Sequence, residues 1–277
     1  MCRLFGMLST EPTDAHRYLL DDPCSIYNQS RSDPRRLQGD GWGLGFYVDG
    51  TPRLVKSEKP IYTELGRFTS VIEPLSSRLI LAHIRRASNP RGLPRERIIS
   101  AECSQPFMYG RYIFVHNGSI NIPDEVMEVL GKWRSRVEGL NDSEVYFWFL
   151  MREMEENGVG LPEAIRRFQS TLSDLWEDCR DRHPDKDSPY SILNIILTDG
   201  ERIYAYTGYD EERYGSVKSL CFGDQPCFEM SYVHTPEKLV VSSEKTNRNE
   251  DWQPLRNGHL LTGEVIDGTV RVDIQRV

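Results

Sequence analysis

Helical periodicity in this 277-residue chain is confined to its middle, between two groups of short strand-like segments. Apolar residues recur at helical spacing in residues 123–130, 143–157 and 161–179. Runs typical of strands occur at residues 4–8, 43–48, 79–84 and 112–116, and again at 191–198, 202–207, 238–242, 260–262 and 269–274. This order predicts an α+β fold in which two largely antiparallel sheets pack together with helices outside. No long linker or repeat divides the chain, so we expect one domain.

The charge pattern argues against a nucleic-acid or membrane partner. The formal net charge is −8, from 34 basic and 42 acidic residues, and the basic residues form no extended cluster. The first twenty residues lack the continuous apolar run of a signal peptide, and the longest apolar run, residues 145–151, is too short to cross a bilayer. We therefore expect a cytoplasmic protein.

The six cysteines show no metal-binding pattern. No C-x-x-C pair occurs, and no histidine lies at zinc-finger spacing. We therefore predict no metal and no cofactor. In a cytoplasmic chain, cysteines act mostly as reduced, small apolar side chains. That is our expectation for Cys24, Cys103, Cys179, Cys221 and Cys227.

Cys2 differs from the other cysteines because of its position. Once Met1 is removed, Cys2 would carry a thiol and a free α-amine on one residue. An α-amine has an ordinary pKa of about 7.7–8.0, so near neutral pH it can act as a general base for the thiol. Taken alone, however, a cysteine at position 2 is a weak signal that is often accidental.

A glycine-dense turn, Gly-Asp-Gly-Trp-Gly-Leu-Gly, spans residues 39–45. A phosphate-binding loop would be followed by a Lys-Ser or Lys-Thr pair and by the N-terminus of a helix, but here a strand follows. We therefore interpret the glycines as structural, allowing the backbone to pass close beside another element. The segment 85–106, rich in Arg, Pro and Ser, is predicted to be a functional loop that borders the site.

The predicted strand at residues 79–84 ends at Arg85 and Arg86. Paired arginines at a strand end are often a solvated surface feature. An arginine there can also bind a substrate carboxylate through two parallel hydrogen bonds. The residues by themselves leave both interpretations open.

Two further motifs follow the strand at 112–116. Asn117-Gly118 ordinarily indicates a tight turn, although an Asn amide beside a backbone N–H would also suit a tetrahedral oxyanion. The segment 141–144, Asn-Asp-Ser-Glu, precedes a helix, and its Asp and Ser are good N-cap residues. Asp142 could instead hold a substrate ammonium group, or do both.

Taken in order, five motifs resemble the class II glutamine amidotransferases. They are Met1-Cys2-Arg3, the Gly-Asp-Gly-Trp-Gly turn, His83-x-Arg85-x-x-Ser88, His116-Asn117-Gly118 and Asp142-Ser143-Glu144. Val241-Ser242-Ser243-Glu244 and the region of Trp252 look like the closing strands of stand-alone members of the YafJ-like type. Those members are related to γ-glutamyl hydrolases of ergothioneine synthesis and glutathione breakdown. The resemblance covers nearly the whole chain.

The resemblance implies a four-layer αββα N-terminal-nucleophile hydrolase fold, formed by one glutamine amidotransferase domain at residues 2–277. It implies that Cys2 attacks the δ-amide of glutamine or a γ-glutamyl amide, and that a thioester is then hydrolysed to glutamate. Arg85 would bind the substrate α-carboxylate with help from Ser88, and Asp142 would accept the α-ammonium. Asn117 and Gly118 would form the oxyanion hole.

Two positions depart from the family pattern. Many relatives carry an aromatic or another residue at the position of Arg86, and a histidine at that of Gln105. Both positions lie on the predicted substrate loop. They therefore affect the prediction of substrate specificity more than the prediction of the reaction.

The expected activity is that of a stand-alone glutaminase or γ-glutamyl amide hydrolase, which could deliver ammonia to a separate synthase. A catalytically silent subunit that binds glutamine or reports on nitrogen status is an alternative. An acylase with a different amide substrate is a third. It is less well supported, because Arg85 and Asp142 suit a free amino-acid end.

Overall fold

A computed structural model describes residues 2–277, which form two antiparallel sheets flanked by helices. The first sheet contains β1 (Arg3–Thr13), β2 (Trp42–Val48), β3 (Thr51–Ser57), β4 (Ser77–Ile84), β9 (Met230–His234), β10 (Lys238–Ser242) and β11 (Gln253–Leu255). The second contains β5 (Phe107–Tyr109), β6 (Tyr112–Ile120), β7 (Tyr190–Thr198), β8 (Ile203–Thr207), β12 (His259–Ile266) and β13 (Thr269–Arg276). Their spatial orders are β11-β9-β10-β1-β4-β2-β3 and β13-β12-β8-β7-β6-β5.

The helices are α1 (Ile26–Gln29), α2 (Leu65–Ile72), α3 (Arg95–Ile98), α4 (Pro123–Val129), α5 (Asp142–Glu155), α6 (Leu161–Cys179) and α7 (Glu211–Tyr214). Short 3₁₀ turns span Ile61–Thr63, Gly131–Arg136 and Arg180–Arg182, and a π turn spans Arg17–Asp21. The three helices predicted in the middle of the chain are thus confirmed as α4, α5 and α6. Within residues 2–277, no helix combines the length and the apolar character needed to cross a membrane.

The core is layered because side chains alternate along each strand. In β1, Leu4 and Leu8 face the second sheet, whereas Phe5 and Met7 face the first-sheet helices, which pack through residues such as Phe68 of α2. On the far side, α5 and α6 cover the outer face of β6 and β7. The layers run helix, sheet, sheet, helix, so the predicted αββα fold is confirmed.

β1 lies inside its sheet between two strands that are distant in sequence. It pairs with β4, where Leu4 opposes His83, and with β10, where Phe5 opposes Ser242. At the end where the chain enters β1, the N–H of Ser243 donates to the Leu4 carbonyl at 2.9 Å. Hydrogen bonds to both neighbouring strands therefore fix the start of β1, directly after Cys2.

Two of the cysteines are not reduced, contrary to our expectation. Cys24 and Cys221 form a disulfide with their Cα atoms 5.9 Å apart, a separation typical of such bonds. The sequence did not indicate this pair, because 197 residues separate its members and only the fold brings them together. The other three, Cys103, Cys179 and Cys227, are free and buried as expected.

Candidate active site

Cys2 immediately precedes β1 and is nearly buried, with 7% of its surface exposed. By the alternation of β1 it lies on the same side as Leu4, which faces the second sheet. Its thiol donates to the backbone carbonyl of Arg86, with Sγ 3.5 Å from the oxygen. Burial raises the pKa of the Cys2 thiol, the positive charge of Arg85 lowers it, and the negative charge of Asp142 raises it. The thiol therefore lies within electrostatic range of two opposite charges.

Arg85 follows β4 directly and is buried. Its guanidinium donates to the Ile98 carbonyl at 2.7 Å. Its backbone is held by the glycine-dense turn, since Arg85 N–H donates to the Gly41 carbonyl at 2.8 Å and Asp40 N–H donates to the Arg85 carbonyl at 3.0 Å. Gly41 has a φ of +126°, a conformation that favours glycine. The glycine-dense turn thus fixes the backbone of Arg85 at the end of β4.

Asp40 fixes the loop that follows Arg85, a role that the sequence did not reveal. Its buried carboxylate accepts the N–H of Ala87 at 2.7 Å and forms an ion pair with Arg95. A Cβ on Gly43 would lie only 2.2 Å from the carbonyl oxygen of Gln105. The structural interpretation of these glycines is therefore confirmed.

Asn117 and Gly118 do not form the tight turn that Asn-Gly predicts locally. They lie inside β6, where Asn117 opposes Asn194 of β7 and Gly118 opposes Leu193. The strand becomes irregular only between Gly118 and Ile120. Pairing with β7 overrides the local preference, and the irregularity comes one residue later than the turn would have.

The side chain of Asn117 is fully buried. Asn117 lies two residues after Val115 on β6, so its side chain points into the same space between the two sheets, which Cys2 faces from the first sheet. Among residues 2–277, neither its amide oxygen nor its amide nitrogen has a hydrogen-bond partner. A buried amide without a partner is costly, and such groups occur where a ligand or an intermediate supplies the partner.

Gly118 is required by close packing. A Cβ there would lie 1.8 Å from the Ile192 carbonyl oxygen and 2.7 Å from Nε2 of His116. The imidazole of His116 accepts a hydrogen bond from the Ser143 hydroxyl, 2.8 Å from Nδ1, and donates to the Ile192 carbonyl, 3.0 Å from Nε2. Burial lowers the pKa of His116, although the negative charge of Asp142 raises it. The neutral imidazole of His116 therefore links β6, next to Gly118, to Ser143 of α5 and to Ile192 of β7.

Asp142 is the first residue of α5 and is buried. One carboxylate oxygen accepts the Ser88 hydroxyl at 2.6 Å, and the other accepts the N–H of Ile120 at 2.8 Å. The N-cap is Asn141 rather than Asp or Ser, because its side chain accepts the N–H of Ser143. The carboxylate of Asp142 is thus held in place without serving as the cap.

Gln105, which the sequence placed on the substrate loop, is buried and bonds to the β6 backbone. Its buried side chain accepts the N–H of His116 at 2.6 Å and donates to the His116 carbonyl at 3.1 Å. The amide therefore pairs with the β6 backbone as a neighbouring strand would. It holds the residue immediately before Asn117.

Behind the thiol, Arg3 is fully buried and forms a 3.1 Å ion pair with Glu244. Glu244 also accepts the backbone N–H groups of Leu220, at 2.7 Å, and Cys221, at 2.9 Å. The guanidinium of Arg3 donates to Sγ of Cys227 at 3.4 Å. The residue next to Cys2 is thus linked to the segment that carries the disulfide.

In the part of the chain that the structure describes, two clusters of side chains could in principle ligate a metal ion. Cys24, Cys221 and Glu244 form the first, but its thiols are joined in the disulfide. In the second, Glu125 and His183 are 2.9 Å apart beside Cys179. There Arg182 approaches Glu125 at 3.4 Å, and Lys186 approaches His183 at 3.3 Å. These cations supply positive charge already, so the second group is better described as an ion-pair network.

The structure brings the predicted site residues together from both sheets. Cys2 and Arg85 come from adjacent strands of the first sheet, and Asn117 and Gly118 come from the second. Asp142 joins them from α5, and Ser88 joins through its bond to Asp142. A thiol, an unpaired amide and two fixed opposite charges suit attack on an amide in a molecule with a free amino-acid end.

Comparison with known proteins gives a consistent result. The chain matches the family model described as class-II glutamine amidotransferases over residues 1–275. It is 33% identical over 266 residues to a γ-glutamyl-hercynylcysteine sulfoxide hydrolase of Mycobacterium tuberculosis, covering 94% of this chain and 92% of the relative. It is 25% identical to a probable glutamine amidotransferase of Saccharomyces cerevisiae, covering 91% of this chain and 74% of the relative.

Solved structures share the fold at low sequence identity. A protein described as a glutamine aminotransferase class-II domain protein from Silicibacter pomeroyi superposes with a TM-score of 0.64 at 20% identity, covering 100% of both chains. The glutamine phosphoribosylpyrophosphate amidotransferase of B. subtilis superposes with a TM-score of 0.60 at 15% identity, covering 98% of this chain and 49% of that one.

Proposed function

Because this chain belongs to the class II glutamine amidotransferases, we propose that it is an amidohydrolase in which Cys2 attacks the δ-amide of glutamine or of a γ-glutamyl amide. The observation that carries this proposal is the loop that follows β4: its Arg86 carbonyl accepts the Cys2 thiol, next to the buried Arg85, and its Ser88 hydroxyl donates to Asp142. One loop thus connects the nucleophile to a positive and a negative side chain, and both charges shift the pKa of Cys2. An amino acid presents the opposite charges that such a pair would bind.

In this proposal, Arg85 binds the substrate α-carboxylate and Asp142 binds the α-ammonium. A carboxylate can accept more than two hydrogen bonds, so the bonds from Ser88 and Ile120 leave room on Asp142 for the ammonium. Ser88 acts mainly by orienting Asp142. Fixing both ends of the amino acid brings its side-chain amide to Cys2 in a single orientation.

The reaction then proceeds in two stages. After removal of Met1, the α-amine of Cys2 takes the thiol proton, and sulfur forms a bond to the δ-carbon. Asn117 and Gly118 stabilise the oxyanion until the C–N bond breaks and the leaving nitrogen takes the proton. Water then attacks the thioester, which releases glutamate and restores the thiol.

We extend the proposal to γ-glutamyl compounds because a 33% identical relative is named as a hydrolase of one. Residues 2–277 would act as one glutamine amidotransferase domain working in the cytoplasm. Where glutamine is the substrate, the ammonia would pass to a separate synthase.

Mass spectrometry combined with a glutamine-mimicking electrophile tests this proposal. We expect the purified protein to lack Met1 and to gain one adduct on the peptide that begins at Cys2. Cys2→Ala should abolish both the adduct and the release of glutamate. Cys179→Ala is the matched control, because Cys179 is a free buried thiol at the end of α6.

The same samples separate the alternatives. Full turnover by Cys2→Ala would contradict the nucleophile assignment. A protein that binds glutamine but gains no adduct and releases no glutamate would instead be the catalytically silent subunit. No observation favours that alternative over the enzyme.

A further inference from the structure

The loop that follows Arg85 is basic in a protein that is acidic as a whole. The chain carries a formal charge of −8, yet residues 85–106 contain five arginines against two glutamates. This loop also contacts the nucleophile, through the Arg86 carbonyl. A positive surface at the mouth of a site raises the local concentration of anionic ligands.

Three of these arginines are already engaged within the protein. Arg85 donates to the Ile98 carbonyl at 2.7 Å. Arg91 forms a 2.7 Å ion pair with Asp124 and donates to the Leu140 carbonyl at 2.9 Å. Arg95 forms an ion pair with Asp40. These three side chains hold the loop in place.

The remaining two, Arg86 and Arg97, are exposed. Within residues 2–277, no carboxylate lies at ion-pairing distance from either of them. Their positions differ in one respect. The carbonyl of Arg86 is 3.5 Å from Sγ of Cys2, whereas the carbonyl of Arg97 is 4.0 Å from Sγ of Cys103. Of these two residues, only Arg86 has its backbone in contact with the Cys2 thiol.

We propose that Arg86 binds a carboxylate on the leaving amine, so that the preferred substrates are γ-glutamyl amino acids and peptides rather than glutamine. This inference rests on the function proposed above. Arg85 is buried whereas Arg86 is exposed, so the two neighbouring side chains leave the backbone in different directions. If Arg85 holds the glutamyl end, Arg86 is therefore free to bind the leaving-group side of the scissile bond.

The chemistry of the substrate fits this arrangement. During attack, the amide carbon approaches Cys2, and its nitrogen lies next to it, near the backbone of Arg86. In a γ-glutamyl amino acid, the carbon attached to this nitrogen bears a carboxylate. Cleavage of the C–N bond releases an amino acid that keeps this carboxylate, whereas glutamine releases ammonia, which offers Arg86 nothing to bind.

An exposed ion pair is weak and is screened by salt, so the expected effect is moderate. At low ionic strength we expect kcat/KM for γ-glutamylglycine to exceed that for γ-glutamylglycinamide by about fivefold. The two compounds differ only in the charge at the end of the leaving group. The preference should fall as salt is added.

The test measures the ratio of kcat/KM for these two substrates in matched variants. Arg86→Gln should bring the ratio close to one, and Arg86→Glu should invert it. Arg97→Gln is the control, because Arg97 is also exposed on the same loop, and it should keep the wild-type ratio.

The outcomes separate this inference from the proposed function. A wild-type ratio near one, or a ratio that Arg86→Gln leaves unchanged, would overturn the role of Arg86 while leaving the amidohydrolase intact. An equal loss of the ratio in Arg97→Gln would show a general effect of loop charge and would also overturn it. Failure of the wild-type protein to cleave either compound or glutamine would instead contradict the proposed function.

Discussion

The hydroxyl of Ser88 donates a 2.6 Å hydrogen bond to Oδ1 of Asp142, joining the loop after β4 to the first residue of α5. The family resemblance assigned Ser88 to the substrate carboxylate held by Arg85. Its observed partner is instead the residue that we propose for the substrate ammonium. Ser88 therefore fixes the residue proposed for the ammonium to the loop that follows Arg85.

The first prediction concerns this pair. Ser88→Ala removes one hydrogen bond to a charged group and should raise KM for a γ-glutamyl substrate about three- to tenfold, with a smaller change in kcat. Asp142→Asn removes the charge itself and should lower kcat/KM on the order of 10²-fold. Ser70→Ala, at an exposed serine of α2, should behave as wild type. An unchanged KM in Asp142→Asn would argue against an ammonium site there.

The second prediction concerns Gln105, whose side chain holds both backbone groups of His116. Gln105→Ala leaves a buried N–H and a buried carbonyl without partners, so the free energy of unfolding should fall by about 2–4 kcal/mol. Because Asn117 follows His116 directly, Gln105→Ala should also displace the proposed oxyanion residue. We therefore expect a larger change in kcat than in KM, as in Asn117→Ala. Urea denaturation and steady-state kinetics measure the two effects.

The matched control for Gln105 is Gln275→Ala, at an exposed position of β13, where we expect neither effect. Loss of stability without loss of kcat in Gln105→Ala would mean that this side chain supports only the fold.

The third prediction concerns pH. Burial lowers the pKa of His83 well below its ordinary value of 6.5, and it also lowers the pKa of His116. Below pH 6.5 the unfolded chain therefore binds protons that the folded chain does not. The free energy of unfolding should be constant above about pH 7 and fall as the pH drops below 6.5, with a slope of at most about 1.4 kcal/mol per pH unit for each histidine.

Urea denaturation between pH 7.5 and 5 measures this slope. His83→Met removes one of the two groups and should make the fall shallower. An equal slope in that variant would mean that other residues cause the pH dependence.

The fourth prediction concerns the Cys24–Cys221 disulfide. It links residues separated by 197 positions, so reduction should lower the free energy of unfolding by about 2–5 kcal/mol. Alkylation of the denatured protein should modify four thiols before reduction and all six cysteines after it. The double variant Cys24→Ser, Cys221→Ser should match the reduced protein and should no longer respond to reductant. Six reactive thiols without reductant would show that the disulfide does not form.

Periodicity was sufficient for the elements that bury one continuous face. α6 begins and ends at the predicted residues, Leu161 and Cys179, because its apolar side chains recur every three or four positions over 19 residues. Short edge strands offered no such signal. β5 and β11 have three residues each and were missed. β3 was missed as well, because its alternation is interrupted by Pro52 and Lys56.

Residues of the candidate site could be named from the sequence where a motif indicates their chemistry. The contacts that position them could not be predicted, because those contacts depend on the fold. Cys2, Arg85 and Asp142 were each named from a motif. The contacts that hold them join residues that the sequence does not associate. Ser88 and Asp142 are 54 positions apart, and Arg3 and Cys227 are 224 apart. The Asn117-Gly118 turn was wrong for the same reason, since the pairing of β6 with β7 decides that backbone.

The position of β1 between β4 and β10 has a consequence for synthesis on the ribosome. Domains generally form as their segments emerge, beginning from the N-terminus. Here the strand that follows Cys2 gains its second neighbour only when residues 238–242 have been made, and the Ser243 contact to Leu4 comes later still. A nascent chain that already contains Cys2, Arg85, Asn117 and Gly118 therefore still lacks the pairing that orders the start of β1. We therefore expect the proposed site to become ordered only after residue 243 has been made.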